Sequence, residues 1–322
     1  MAWRPGSGPF RVSMGVMPTV SLYEVSPRDG LQNEASVVST EGKAELIGRL
    51  VQAGVRDIEV TSFVGPRWIP QLADAPSLMR MLPTVEGVRY WGLVPNRVGL
   101  ERALDSGMTH VATFLSASET HNKKNLNRTV RESVANVEEV LAVARDEGVA
   151  VRGYISTVFG CPYEGPVPVE NTLRIVDRLL AGGVETVVLG DTTGMGNPRQ
   201  VKDVVARLVA AGLDAHRIAL HLHDTRGTAL ANAIAGYEVG VRQFDGSVAG
   251  MGGCPYAPGA SGNAASEDLV YTFEAMGIHT GVNLEALAEA GGLAEALVGR
   301  ELPGRFHLSW KGARVRAAAR TA

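Results

Sequence analysis

The chain has 322 residues, 45% hydrophobic and 20% charged, with a formal net charge of −3. That is the composition of a soluble globular protein, long enough for one large domain or two smaller ones. It excludes nucleic acid as the main partner, because phosphate binding needs a clustered basic surface, and no apolar run is long enough to span a membrane. Two cysteines, Cys161 and Cys254, cannot make a disulfide framework, although they could pair once, and they point to a reducing, cytoplasmic setting.

Residues 1–17, MAWRPGSGPFRVSMGVM, carry Arg4 and Arg11 but no acidic residue. Their glycines and prolines disfavour the amphipathic helix of a targeting peptide, so a disordered extension is expected. A domain over 18–299 follows. Its strand-like runs are VSLYEV (20–25), DIEVTS (57–62), VRYWGLV (88–94), THVATFLS (109–116), VAVRGYISTVF (149–159), ETVVLGD (185–191), RIALHLHD (217–224) and VRQFDGSV (241–248). A helical stretch follows each of them. Several helices end on glycine, as in AGV at 53–55, GGV at 182–184 and AGL at 211–213, which supplies a left-handed cap before the next strand. Eight strand-helix units predict a closed (β/α)8 TIM barrel, with a further helical pair near 283–299 as additional C-terminal helices. A doubly wound open sheet is the weaker alternative, since no Gly-rich phosphate fingerprint follows the first strand. HNKKNLN (121–127) reads as a polar loop, with Lys123 and Lys124 as its cations. The Arg-rich end, 300–322, reads as a solvated or frayed tail.

In such a barrel, chemistry collects where the strands end. Arg28 and Asp29 follow the first strand, Glu59 lies within the second, Asp191 ends the sixth, and Cys254 and Asn263 lie in GGCPYAPGASGN after the eighth. The strongest signal is HLHD on the seventh strand. Alternation puts His221 and His223 on one face, and Leu222 on the other. A lone strand histidine more often packs in a core, but two at period 2 with a carboxylate nearby are placed to hold a divalent ion. Mixed nitrogen and oxygen donors suit Mg²⁺ or Mn²⁺ better than a thiolate-seeking metal, with Zn²⁺ open. Arg28 and Asp29 alone read equally well as turn chemistry. A carboxylate inside an apolar strand is costly unless paired, and Arg28 is the natural partner for Glu59. Asp191 reads as a helix cap or as a partner to a ligand, and Glu267 as a first-turn acid favoured by its helix dipole.

EVSPRDGLQNE (24–34), TSFVGPRWIPQ (61–71), KKNLN (123–127), LGDTTG (189–194), HLHDTRGTALAN (221–232) and SVAGMGGCPYAPGASGNAASEDLVY (247–271) together resemble the 3-hydroxy-3-methylglutaryl-CoA lyase family. The resemblance covers about residues 20 to 298. It implies cleavage of that acyl-CoA to acetyl-CoA and acetoacetate, in leucine breakdown and ketone-body formation, and a homodimer or larger assembly. By resemblance, Asp29, His221, His223 and Asn263 are metal ligands, and Arg28 steadies an enolate oxygen. Cys254 serves acid/base chemistry, Gln32 joins Arg28 in binding substrate, and Glu59, Asp191 and Glu267 support the site. The arginine-aspartate pair and the HxH are shared with related Claisen-type synthases, whereas the GGCPYAPGASGN loop is the more specific sign. Two departures stand out: Arg226 replaces a common aromatic, and the segment after 300 has no family counterpart. A lyase for citramalyl-CoA or a 3-alkyl analogue is the near competitor, a Claisen-type synthase the second, and a non-catalytic barrel the distant one.

Overall fold

The computed structural model describes residues 19–253 and 262–321, with the side chains of 318–321 excepted. The N-terminal extension expected over 1–17 and Cys254 both lie outside the described residues. The strands are β1 (Ser21–Glu24), β2 (Asp57–Ser62), β3 (Arg89–Leu93), β4 (His110–Ser116), β5 (Ala150–Ser156), β6 (Thr186–Asp191), β7 (Ile218–Leu222) and β8 (Gln243–Gly246). Each pairs in parallel with the next, and β8 pairs with β1, closing a barrel in chain order. Closure rules out the open doubly wound sheet.

Strands covered on both faces need apolar residues on both. Every residue of β2, β6 and β7 is buried. Outward residues such as Leu22, Ile58, Val60, Leu189, Leu220 and Leu222 join the large core beneath the helices. Leu93, Ala112, Tyr154, Val188 and Ala219 form a separate cluster inside the barrel. Ala219 is therefore inward, and by alternation so is His221.

The helices begin where the sequence offers caps. Ser39, Asn96, Thr129 and Asn197 each accept a backbone N–H from the first turn of their helix. Thr129 with Glu132, and Asn197 with Gln200, complete capping boxes.

Two expectations change. HNKKNLN is not a loop: Glu119–Leu126 is a helix, capped by Ser118 at its start and by Asn127 in the left-handed region (φ 53°) at its end. Its apolar content is too low for periodicity to reveal it, so the caps are the legible part. The C-terminal segment is not a solvated tail either. Arg305–Thr321 is a helix whose first N–H groups, from Arg305 and Phe306, meet the Asp268 carboxylate at 3.0 and 2.6 Å. His307 and Trp310 are buried on its inner side, bonded to Glu295 and Glu285.

Gly54 and Gly212 end helices in nearly the same conformation, φ 97° and 98°. A Cβ at 54 would stand 2.7 Å from the Gly281 carbonyl oxygen, whereas one at 212 meets nothing within 4 Å. Gly212→Ala is expected to cost about 1–2 kcal/mol of stability, the strain of the left-handed backbone alone. Gly54→Ala should cost clearly more, and urea unfolding of the two variants checks the order.

Candidate active site

The segment after β1, Ser26–Gly30, coils as a wide helical turn in which the N–H groups of Arg28 and Gly30 both reach the Val25 carbonyl. This turn points Arg28 and Asp29 into a cavity of about 940 Å³ at the carboxyl ends of the strands. His221, His223, Gln32 and Gly253 line the same cavity.

Asp29, His221 and His223 come together, with ligand atoms all within 4.8 Å of one another. The Nε2 atoms of the two histidines lie 3.2 Å apart. Two ring nitrogens at that distance cannot both direct a lone pair at the other. A proton or a cation has to lie between them. Burial, and then the neighbouring His221, push the His223 imidazole down to about 3. Burial disfavours the Asp29 carboxylate, but the Arg28 guanidinium and the two imidazoles outweigh it and hold it at about 2. For His221 burial favours the neutral ring, yet the hydrogen bond and charge of Asp245 win and its pKa is raised.

Asn263 arrives from the far side of the strand-8 loop. Its Nδ2 donates to Asp29 Oδ2 at 2.9 Å, and its Oδ1 is buried without a partner. Backbone bonds fix it: Asp224 N–H donates to Gly262 O, and Ala264 N–H to Leu222 O, making a bridge between His223 and Asn263. Gly252 packs so close that a Cβ there would stand 2.7 Å from the Asn263 amide nitrogen. A carboxylate and two imidazoles at one spot are a fitting donor set for a divalent ion, and Asn263, whose Nδ2 now faces Asp29, would add its unpartnered oxygen by turning the amide over.

Arg28 donates to Asp29 at 2.6 Å and to Glu59 at 2.9 Å, while its Nε is buried without a partner. Burial raises the Glu59 pKa and Arg28 pulls against that rise. Gln32 lines the cavity with its Oε1 buried and unpartnered. Asp191 caps no helix. It accepts the N–H groups of Met195 and Gly196 and so folds the loop after β6, and burial lifts its pKa to about 6. Glu267 lies away from the cavity's metal group and accepts the Ala249 N–H at 2.7 Å, on the segment that leads into the strand-8 loop. Arg226 donates to the Thr193 and Gly194 carbonyls, which accounts for the departure there as a brace on the strand-6 loop.

Several contributors escaped the sequence reading. Asp245 on β8 is buried against His221, Tyr154 and Arg152. A carboxylate inside VRQFDGSV carried the same signal as Glu59 in DIEVTS. Arg102, Lys124 and Arg128 add cations to the cavity rim, and Trp68 stands there 84% exposed.

The HMGL-like family model matches residues 19–293. The hydroxymethylglutaryl-CoA lyase YngG of Bacillus subtilis is 49% identical over 286 residues, 89% of this chain and 95% of that protein. A solved HMG-CoA lyase from B. subtilis superposes with a TM-score of 0.89 at 48% identity, covering 92% of this chain and 100% of that one. An HMG-CoA lyase from Acinetobacter baumannii, solved with coenzyme A and 3-methylmalate, gives 0.85 at 40% identity, covering 89% and 93%.

Loading this donor set with a divalent ion is expected to displace a proton. Asp29 at about 2 and His223 at about 3 are already in ligand form at neutral pH, and only His221 is raised. Mn²⁺ affinity, followed by paramagnetic resonance, should fall as the pH is lowered through the raised pKa of His221, with a limiting slope of about one proton per ion. A slope of two would mean that His223 also titrates there. His223→Ala should weaken Mn²⁺ binding by more than the roughly 10–100-fold typical of losing an outer-shell partner. Asn263→Ala should weaken it too, and unchanged affinity would remove Asn263 from the ligand set.

Proposed function

The chain belongs to the HMGL-like family, and from that premise we propose how it works as a lyase that cleaves 3-hydroxy-3-methylglutaryl-CoA to acetyl-CoA and acetoacetate. The observation that carries the mechanism is the meeting of Asp29, His221 and His223 with Arg28 in one cavity. Oxygen and nitrogen donors without a thiolate favour Mg²⁺ or Mn²⁺ as the resident ion, held by Asp29, His221, His223 and Asn263. When bound, the ion supplies Lewis acidity that lowers the pKa of the C3 hydroxyl, so that a weakly basic carboxylate suffices.

Asp29, or a base beside it, takes the hydroxyl proton. The C2–C3 bond then breaks, and its electron pair passes into the thioester as an enolate. Arg28 faces the oxygen that becomes negative. Glu59 and Asp29 each accept one N–H from its two Nη atoms, and its Nε–H has no protein partner. A preorganised donor of this kind stabilises the transition state by about 3 kcal/mol. Cys254 protonates C2 of the enolate, and the proton removed at the start restores the thiol, so the cycle balances. Cys254 itself lies outside the described residues. The support for its role is the family motif, together with Gly253 on the cavity wall and Asn263 at the ligands. Gln32, with its open Oε1, is placed to bind the substrate alongside Arg28.

Arg102, Lys124 and Arg128 on the rim suit the phosphates of an acyl-CoA, and coenzyme A is bound by the Acinetobacter relative. No helix among the described residues is long and apolar enough to cross a membrane. A cytoplasmic location is proposed from the cysteine usage, and a homodimer or larger assembly from the family likeness.

Cleavage of a small panel of 3-hydroxyacyl-CoA thioesters, with and without Mg²⁺ or Mn²⁺, tests the reading. The metal-dependent product should be acetyl-CoA, fastest from 3-hydroxy-3-methylglutaryl-CoA, and a faster citramalyl-CoA or 3-alkyl analogue would reassign the substrate. Arg28→Gln should lower kcat by roughly 10²–10³. Cys254→Ser should keep metal and substrate binding but lose most turnover. Full rate in that variant would remove Cys254 as the acid.

A further inference from the structure

Asp245 sits beside His221 in the register of β7 and β8. Its Oδ2 lies 3.2 Å from His221 Nδ1 and accepts the Tyr154 hydroxyl at 2.7 Å. Its Oδ1 accepts Arg152 Nη2 at 2.7 Å, across the barrel from β5. All of these groups are nine-tenths or more buried. The Arg152 guanidinium lies flat on Tyr23, 3.7 Å from the ring centroid, and so cannot swing away without losing that contact. The edge of the Tyr154 ring meets the His221 ring at a centroid distance of 5.8 Å. The His221 imidazole thus has a carboxylate at Nδ1 and a tyrosine ring beside it, while its Nε2 faces His223 in the cavity.

A carboxylate accepts and cannot donate. The His221 nitrogen that faces it must carry the hydrogen, which leaves the lone pair on Nε2. We propose that Asp245 is a positioning residue that fixes His221 in the Nδ1–H tautomer and aims Nε2 at the metal position, and that Arg152, bonded to the other carboxylate oxygen, holds Asp245 in place for that task. This rests on the reading of His221 as a metal ligand. Asp245 lies behind the imidazole and reaches the reaction only through it.

A purely structural alternative exists: Asp245 could serve only to pair the buried Arg152. The two differ in what happens when the pair is removed together. Asp245→Asn alone should weaken Mn²⁺ binding by roughly 10–100-fold and lower the unfolding temperature, because Arg152 is left unpaired. The double variant Asp245→Asn with Arg152→Met should recover the unfolding temperature but keep the weakened Mn²⁺ affinity. If both recover together, Asp245 is merely Arg152's partner and the proposal fails. Nitrogen NMR of the imidazoles in the unaltered, metal-free chain at alkaline pH gives an independent readout. His221, assigned by its loss in His221→Gln, should carry its hydrogen on Nδ1, and a hydrogen on Nε2 would overturn the proposal even if no variant folds. Should the unaltered chain bind no Mn²⁺ while His221 shows the Nδ1–H form, the metal reading fails and the orienting role of Asp245 stands.

Discussion

Charge inside a parallel barrel must be matched by opposite charge, and that requirement organises this molecule. Arg28, Glu59, Arg152 and Asp245 are all buried, and each has its partner: Arg28 with Glu59 and Asp29, Arg152 with Asp245. Breaking one side of such a pair typically costs about 3–5 kcal/mol, because the other charge is stranded without water. The pairs therefore fix one another's positions. Arg28 is clamped between two carboxylates on neighbouring elements. His221 stands between the two networks, within reach of Asp29 on the cavity side and bonded to Asp245 behind.

The electrostatics follow from this arrangement. Asp29 stays ionised in a buried place because a guanidinium and two imidazoles face it. The two imidazoles are driven apart: His223, without a carboxylate behind it, is held low, and His221, with one, is raised. Two chemically identical side chains two residues apart are pushed in opposite directions, His221 upward chiefly by Asp245 on the next strand and His223 downward by burial and by His221.

The barrel was legible because eight strand-like runs alternate with helical ones and the helices end on glycine. His221 and His223 were legible because period 2 on a strand puts two imidazoles on one face. Glu59 was legible because a carboxylate in an apolar run demands a partner. Asp245 carries the same kind of signal but was passed over. Its partner Arg152 lies 93 residues away, on a strand that meets it only across the closed barrel. The helix Glu119–Leu126 was hidden by its polarity, since Ser118 and Asn127 define it more than any apolar face does. The C-terminal helix was hidden by its arginines. What anchors it is Asp268 at its start and the burial of His307 and Trp310, none of which has a recognisable spacing.

The bridge between His223 and Asn263 ties the end of strand 7 to the return of the strand-8 loop. Gly262 and Ala264 are bonded to the strand-7 segment that carries the histidines, and Met251 is bonded back to Val248. One backbone bridge thus couples the histidine at the end of strand 7 to the asparagine that returns from strand 8, so a shift of either strand end carries both side chains with it.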